Sequence, residues 1–336
     1  MKTSAPLVAI ECLAYNHGPY IRQCLEGFVM QKTDFPFIAI VHDDASTDDT
    51  AKIIREYAQN YPDIIKPILE TENQYSKKDG ALRKAIDRAM PKDAKYIAMC
   101  EGDDYWTDPY KLQKQVHILE QQKEYDLVYS HYKILYDKNN RLVCASMRNR
   151  PKGDVFKSLL LDNFITTNTV LIRYEAYVKA IANISSYSRS WLMGDYPLWL
   201  EVAKMGKFWY LPDVTTVYRV RNESASHSDD FRKILKFNES AKEVQLFYAT
   251  KSGLKSFIPA IETMFNSRMY QYCLEYNYSN IRPFRSYFLN LKECTTLKTK
   301  LFKCCATSKV LEGILKALVN NIFARKLYSR MFRTYS

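Results

Sequence analysis

The sequence has no apolar run of the 18 or more residues that a membrane-crossing helix requires. An exported protein's start is missing as well: the apolar stretch at 7–10 is too short for a signal-peptide core, and Glu11 interrupts it. Eight cysteines are present without one C-x-x-C pair, which excludes a zinc ribbon and a thioredoxin-like motif. With no export signal they read as free thiols in a reducing cytoplasm. No Gly-rich phosphate loop with a Lys or Arg follows the first expected strand. Neither an internal repeat nor a low-complexity linker divides the chain. A hydrophobic content of 47% over 336 residues excludes disorder and is ample for one large domain or two ordinary ones.

Charge is plentiful but unevenly placed. The chain carries a net +12, and residues 291–336 hold ten Lys or Arg against two Glu, a net of +8. In that tail Leu311, Ile314, Leu315, Leu318, Ile322 and Phe323 recur at helical spacing among Lys309, Lys316, Arg325, Lys326, Arg330 and Arg333. A basic amphipathic helix of this kind lies in the headgroup region of an anionic membrane, or else packs on its own domain with a solvated face. A basic nucleic-acid-binding protein is disfavoured. The positive charge is terminal, while the strand ends of the first half are acidic and repel phosphate backbones.

From residue 7 to about 127 the pattern alternates strand and helix, which predicts right-handed crossovers and a mostly parallel sheet. Strands are expected at 7–15, 35–41, 64–69 and 96–100, with helices after Pro19, at 80–89 and at 111–122. Ser46 with Asp49 reads as a capping box for another helix containing Ile53, Ile54, Tyr57 and Ala58. The stretch 125–221 mixes short strands, at 125–135, 170–173, 208–211 and 215–220, with helices. Beyond Ser228 the pattern is helical. We therefore expect residues 1–228 to form an α/β domain and residues 229–336 a helical, basic region.

The chemistry concentrates where the fourth expected strand, Tyr96-Ile97-Ala98-Met99-Cys100, runs into Glu101-Gly102-Asp103-Asp104. Carboxylates packed at a strand's carboxyl end repel one another unless a cation joins them, and Mg²⁺ or Mn²⁺ takes such oxygens together with substrate phosphates. An acidic turn capping the next helix is the plain alternative, and for Asp108 capping is the favoured role. At the second strand's end, Asp44 is placed to accept from a base N–H, and Tyr15 offers a ring for stacking. Asp48 and Asp49 are read as helix caps. Trp106 and Trp191 present possible sugar platforms, Trp199 is assigned to the core, and His42 and His117 are assigned to structure.

The order Ala14-Tyr15-Asn16, Asp43-Asp44-Ala45-Ser46-Thr47-Asp48, Gly102-Asp103-Asp104 and Gly194-Asp195-Tyr196-Pro197-Leu198-Trp199-Leu200 resembles glycosyltransferase family 2 over about residues 6–228. That family consists of inverting enzymes of the GT-A fold, a Rossmann-like, mostly parallel sheet, that use nucleotide-sugar donors. The resemblance implies that Asp44 binds the base, with Leu13 and Tyr15 lining the same site and Arg83 near the nucleotide. Asp103 and Asp104 match the metal-and-ribose pair, Asp104 as the direct ligand; for His227, an imidazole suited to Mn²⁺, the two readings are a further ligand and an exposed loop histidine. Asp195 matches the general base. Arg219, Ser224, Ser226 and His227 match the segment that closes over the diphosphate. Three positions depart from the family pattern: Ala45 where Gly is common, Gly194 where Glu is common and Lys84 where Asn is common. The Gln-x-x-Arg-Trp signature of processive synthases is missing, which favours single-sugar transfer.

The reading that follows is a metal-dependent enzyme using Mn²⁺ or Mg²⁺. It would pass one sugar from a UDP-sugar to a glycan acceptor, lipid-linked, in surface polysaccharide or lipopolysaccharide synthesis. It is expected in the cytoplasm, peripheral at the inner face of the cell membrane, and without a nucleic-acid partner. A metal-dependent nucleotidyltransferase also sets paired Asp at strand ends, but more often carries the phosphate loop missing here.

Overall fold

The computed structural model describes residues 5–187, 191–221, 230–275 and 308. They group into two compact units. One lies within Met1–Phe156, Phe164–Arg189 and Pro197–Arg221, the other within Lys157–Asn163, Ser190–Tyr196 and Asn222–Ser336.

The first unit begins with the expected alternation. β1 (Val8–Ala14) leads into α1 (Gly18–Val29), β2 (Phe37–Asp43) into α2 (Thr50–Asn60), and β3 (Ile65–Leu69) into α3 (Ala81–Ala89). β4 (Tyr96–Met99), the two-residue β5 (Tyr105–Trp106) and α4 (Lys111–Gln121) follow. The first four strands pair in parallel in the order β3-β2-β1-β4. Their carboxyl ends therefore share one edge, where ligands bind in sheets of this type.

β1 is buried on both faces, as a strand covered by helices must be. Val8, Ile10, Cys12 and Ala14 share a hydrophobic cluster with Ile21, Leu25 and Phe28, the apolar face of α1. Gly27 lets that helix approach closely, because a Cβ there would stand 2.9 Å from the Trp106 backbone nitrogen.

The rest of the sheet is mixed. β6 (Tyr125–Tyr136), β7 (Arg141–Cys144), α5 (Phe156–Leu161), β8 (Val170–Arg173), α6 (Tyr174–Ser186), α7 (Asp195–Met205) and β9 (Lys207–Val220) follow in the chain. β8 runs antiparallel to both β4 and β6, β6 runs parallel to β9, and β9 runs antiparallel to β5. The two short strands expected at 208–211 and 215–220 are one strand, β9. Its pairing slips opposite Ser130, His131 and Tyr132. Pro212 falls in the slipped stretch; it has no N–H to give a ladder, so the pattern there resembles a gap.

In the second unit α8 (Phe231–Lys251), capped by Asp230, and α9 (Ile258–Glu275) supply the expected helices. Gln245 donates to the Leu160 carbonyl at 2.9 Å, and the Tyr196 hydroxyl to that of Leu159 at 2.5 Å. Among the described residues no helix is long and apolar enough to cross a membrane. The basic stripe of residues 309–333 lies outside the described residues, as do Ser224, Ser226 and His227.

Candidate active site

The acidic turn is held at the carboxyl edge by its backbone. Beyond β4 the Cys100 and Gly102 amides still donate to the carbonyls of Glu11 and Leu13, at 3.0 and 2.9 Å. Gly102 has to be glycine: a Cβ would stand 2.9 Å from His17 Nδ1 and 2.9 Å from Ile21 Cδ1. This packing presses Asp103 and Asp104 against the core, and both are buried. Burial pushes the Asp104 carboxyl well above the ordinary carboxylate range, and the charges of Asp103 and Glu101 push in the same direction.

Two arginines from the end of β9 meet this turn in different ways. The Arg219 amide donates to Asp104 Oδ1 at 2.7 Å and its Nε to the Asp103 carbonyl at 2.8 Å. Its Nη1 and Nη2 donate to Asp137 and Gln23, each at 2.8 Å. Arg219 is thus locked by hydrogen bonds at every branch. Arg221 sits 2.8 Å from Asp103 Oδ2 through Nε, but that N–H is not aimed at the oxygen, so the contact is an ion pair without a hydrogen bond. Its Nη2 lies 3.3 Å from His17 Nε2. Desolvation lowers the His17 pKa, with the Arg221 charge adding to it and Asp103 opposing.

A divalent cation fits this donor set. Asp103 Oδ1 is buried and has no partner, next to a second carboxylate. A bare buried carboxylate oxygen is costly unless a cation or donor meets it. Among the described residues no three His, Cys, Asp or Glu side chains close into a cage.

The residues expected to meet a nucleotide lie at the ends of β1 and β2 and in α3. Leu13 is half-buried, and Tyr15 is 48% exposed, a free ring at the strand's end. Asp44 is buried; its Oδ1 accepts from the Gln74 amide at 2.6 Å and its Oδ2 from the Tyr75 amide at 3.0 Å. The carboxylate therefore pins the loop after β3, with lone pairs left for a further donor. Arg83 points its Nη1 at Glu11, 2.9 Å away, and at the Tyr177 hydroxyl, 2.5 Å away, with Asp87 2.8 Å from its Nε. Its Nη2 is buried without a partner.

Local capping differs from the sequence reading. Ser46 does not cap α2: its hydroxyl donates to Asp43 Oδ1 at 2.5 Å and accepts from the Asn16 amide. Asp48 caps as expected, accepting from the Thr50 amide at 2.9 Å while its other oxygen holds the Gly18 amide at 2.8 Å, whereas the Asp49 side chain makes no cap hydrogen bond. One carboxylate ties two helix starts together. Trp106 is no sugar platform either. Its ring is buried against Phe28 and beneath the Lys111 ammonium, and its Nε1 donates to the Asn168 carbonyl. Trp199 is buried as expected.

Asp195 opens α7, and its Oδ1 accepts from the Tyr196 amide at 2.8 Å. It belongs to the second compact unit, whereas Asp103 and Asp104 belong to the first. His17 and Arg221 escaped the sequence reading. The available signals were a histidine in the turn directly after β1 and the Arg-x-Arg spacing of 219 and 221.

Residues 13–177 match the family model described as glycosyl transferase family 2. The chain is 36% identical over 225 residues to the uncharacterized protein Rv1520 of Mycobacterium tuberculosis, covering 66% of this chain and 61% of that protein. It thus spans about three fifths of that relative's length. It is 28% identical over 259 residues to WfaP of Escherichia coli, covering 74% of this chain and 94% of that protein. WfaP is named a UDP-Glc:alpha-D-GlcNAc-diphosphoundecaprenol beta-1,3-glucosyltransferase. The crystal structure of Staphylococcus aureus TarS 1-349 with UDP-GlcNAc superposes with a TM-score of 0.52 at 16% identity, over 98% of this chain and 90% of that one. The expected GT-A architecture is the one this chain has.

Proposed function

Because the chain carries a glycosyl transferase family 2 domain over residues 13–177, we propose that it is an inverting glycosyltransferase moving one sugar from a UDP-sugar to a glycan hydroxyl. The observation that carries the reading is the buried pair Asp103-Asp104 at the carboxyl edge, with Asp103 Oδ1 left without a partner. Support for a UDP donor and a lipid-linked acceptor comes from the relative WfaP, whose name states both. A second relative, TuaG of Bacillus subtilis, is named for teichuronic acid biosynthesis. Surface polysaccharide or lipopolysaccharide synthesis is the setting this suggests.

In this reading Tyr15 stacks on the base, Leu13 lines the same site and Asp44 accepts from a base N–H. Asp103 faces the ribose. Asp104 and His227 hold a divalent ion, Mn²⁺ or Mg²⁺, which when bound supplies the positive charge that a departing diphosphate needs. Arg219 and Arg83, whose guanidiniums are engaged by protein partners, act by shaping the donor pocket. Asp195 takes the proton from the acceptor hydroxyl as it attacks the anomeric carbon. A carboxylate within reach of the hydroxyl is the kind of group that does this. The net +8 of residues 291–336 would hold the protein on the inner face of a cell membrane, near a lipid-borne acceptor.

The test is calorimetry with a panel of nucleotide sugars and Mn²⁺, on the wild type and Asp104→Ala. We expect a UDP-sugar to bind the wild type only with the metal present, and the variant to lose that metal-dependent binding while keeping its fold. Unchanged affinity in Asp104→Ala sinks the cation assignment.

A further inference from the structure

We propose that Arg221 is the resident counter-cation of the acidic turn, displaced from Asp103 when a divalent cation binds and then available to the donor's diphosphate. The inference rests on the donor and cation site proposed above and adds a residue to it. Its basis is the contrast between the two arginines. Arg219 is fixed by four hydrogen bonds through its amide, Nε, Nη1 and Nη2. Its guanidinium cannot leave without breaking the three made by Nε, Nη1 and Nη2. Arg221 holds its carboxylate at 2.8 Å through an N–H that is not directed at the oxygen, and reaches one imidazole nitrogen at 3.3 Å. Its side chain keeps 22% of its surface exposed, whereas that of Arg219 keeps 8%.

The electrostatics give this difference a use. Three carboxylates in four residues, 101 to 104, need positive charge nearby, and the Arg221 guanidinium supplies part of it. It occupies one oxygen of Asp103 and leaves the other bare. A doubly charged ion drawn to the same carboxylates repels the guanidinium, and Arg221 is the partner free to move. Guanidinium groups pair well with phosphate oxygens. A nucleoside diphosphate sharing the ion's shell is therefore the anion on which Arg221 would settle.

The exchange predicts two effects of opposite sign, which a packing defect would not produce. Mn²⁺ binding, followed by electron paramagnetic resonance without nucleotide, should tighten about tenfold in Arg221→Gln. That factor is the order expected for a single and a double charge ~5 Å apart in a water-like dielectric. UDP affinity at saturating Mn²⁺, read by calorimetry, should weaken about tenfold in the same variant. Arg221→Lys keeps the charge and should bind Mn²⁺ within about threefold of wild type. A larger Mn²⁺-induced rise in melting temperature for Arg221→Gln than for wild type would support the exchange on the folded protein. The wild type provides a measurement independent of any variant: phenylglyoxal modification of Arg221, read by mass spectrometry, should rise several-fold on adding Mn²⁺. Equal Mn²⁺ affinity in wild type and Arg221→Gln, or unchanged Arg221 reactivity, overturns the exchange and leaves the cation site standing. If none of the three proteins binds Mn²⁺, both the exchange and the cation site are wrong.

Discussion

Lys111, the first residue of α4, is fully buried, and replacing it by methionine should change how stability responds to pH. Its ammonium donates to Gln115 Oε1 at 2.8 Å and stands 4.3 Å from the centre of the Trp106 ring. Among the described residues no carboxylate pairs directly with it; burial lowers its pKa from 10.5 to about 7. At ~1.4 kcal/mol per unit, a fall of that size amounts to about 5 kcal/mol of preference for the neutral form. The sign follows from proton counts. Between about pH 7 and 10.5 the unfolded chain holds a proton on Lys111 that the folded protein has released, so stability rises with pH across that window. Below it both states are charged and the full penalty of burying an ammonium remains. Methionine has a similar volume and does not titrate. The stability of the wild type minus that of Lys111→Met should therefore grow by about 2–3 kcal/mol between pH 7 and 9. Urea unfolding of both proteins at several pH values measures it. Taking the difference cancels the titration of groups common to both. A difference that stays flat within about 0.5 kcal/mol would show that Lys111 reaches water or a carboxylate, and would refute the reasoning.

Three further outcomes are expected. Asp195→Asn should keep donor binding and lose about 10²–10⁴ in transfer rate, because an amide cannot accept the acceptor's proton; transfer within a few-fold of wild type would return Asp195 to a capping role. Ala45 adopts φ 60°, a left-handed conformation. Left-handed backbone costs an ordinary residue roughly 1–2 kcal/mol, and glycine's extra chain entropy offsets part of any gain, so Ala45→Gly should raise stability by about 0.5–1 kcal/mol; a lowered melting temperature would count against it. Deleting residues 298–336 should abolish co-sedimentation with anionic vesicles at low salt and spare UDP binding, whereas full-length protein left in the supernatant would assign the tail to packing.

The elements easiest to read from sequence were those whose signals are local. The 3.6-residue spacing of Ile21, Leu25 and Phe28 was enough to place α1 and its buried face. The four strands that end in Ala14, Asp43, Leu69 and Met99 were legible as apolar runs framed by turns, and their parallel pairing followed from the helices between them. The acidic turn was legible for the same reason: Gly102-Asp103-Asp104 interrupts an apolar strand abruptly. β9 was harder, because Pro212 and the slipped pairing opposite Ser130–Tyr132 break its alternation, and a bulge in one strand is visible only beside its partner.

Side-chain alliances between distant segments were beyond reach. Ser46 followed by Asp49 has the spacing of a cap, yet the Asp43 carboxylate, three residues back, competes for the same hydroxyl and wins. Trp106 reads from the sequence as a possible sugar platform, but Phe28 and Lys111 close over it. Arg219 and Arg221 are two residues apart and chemically identical in sequence. One finds Asp137 and Gln23, which lie 82 and 196 residues away in the chain, and the other an ill-aimed carboxylate, an imidazole and the face of the Tyr20 ring. The sequence by itself determined which residue types line the carboxyl edge, since strand direction and turn chemistry are local properties. Tertiary structure alone decided which charges there are locked and which are left to move. Hydrogen-bond partners are contributed by whatever segments the fold brings within 3 Å, and no spacing along the chain records that.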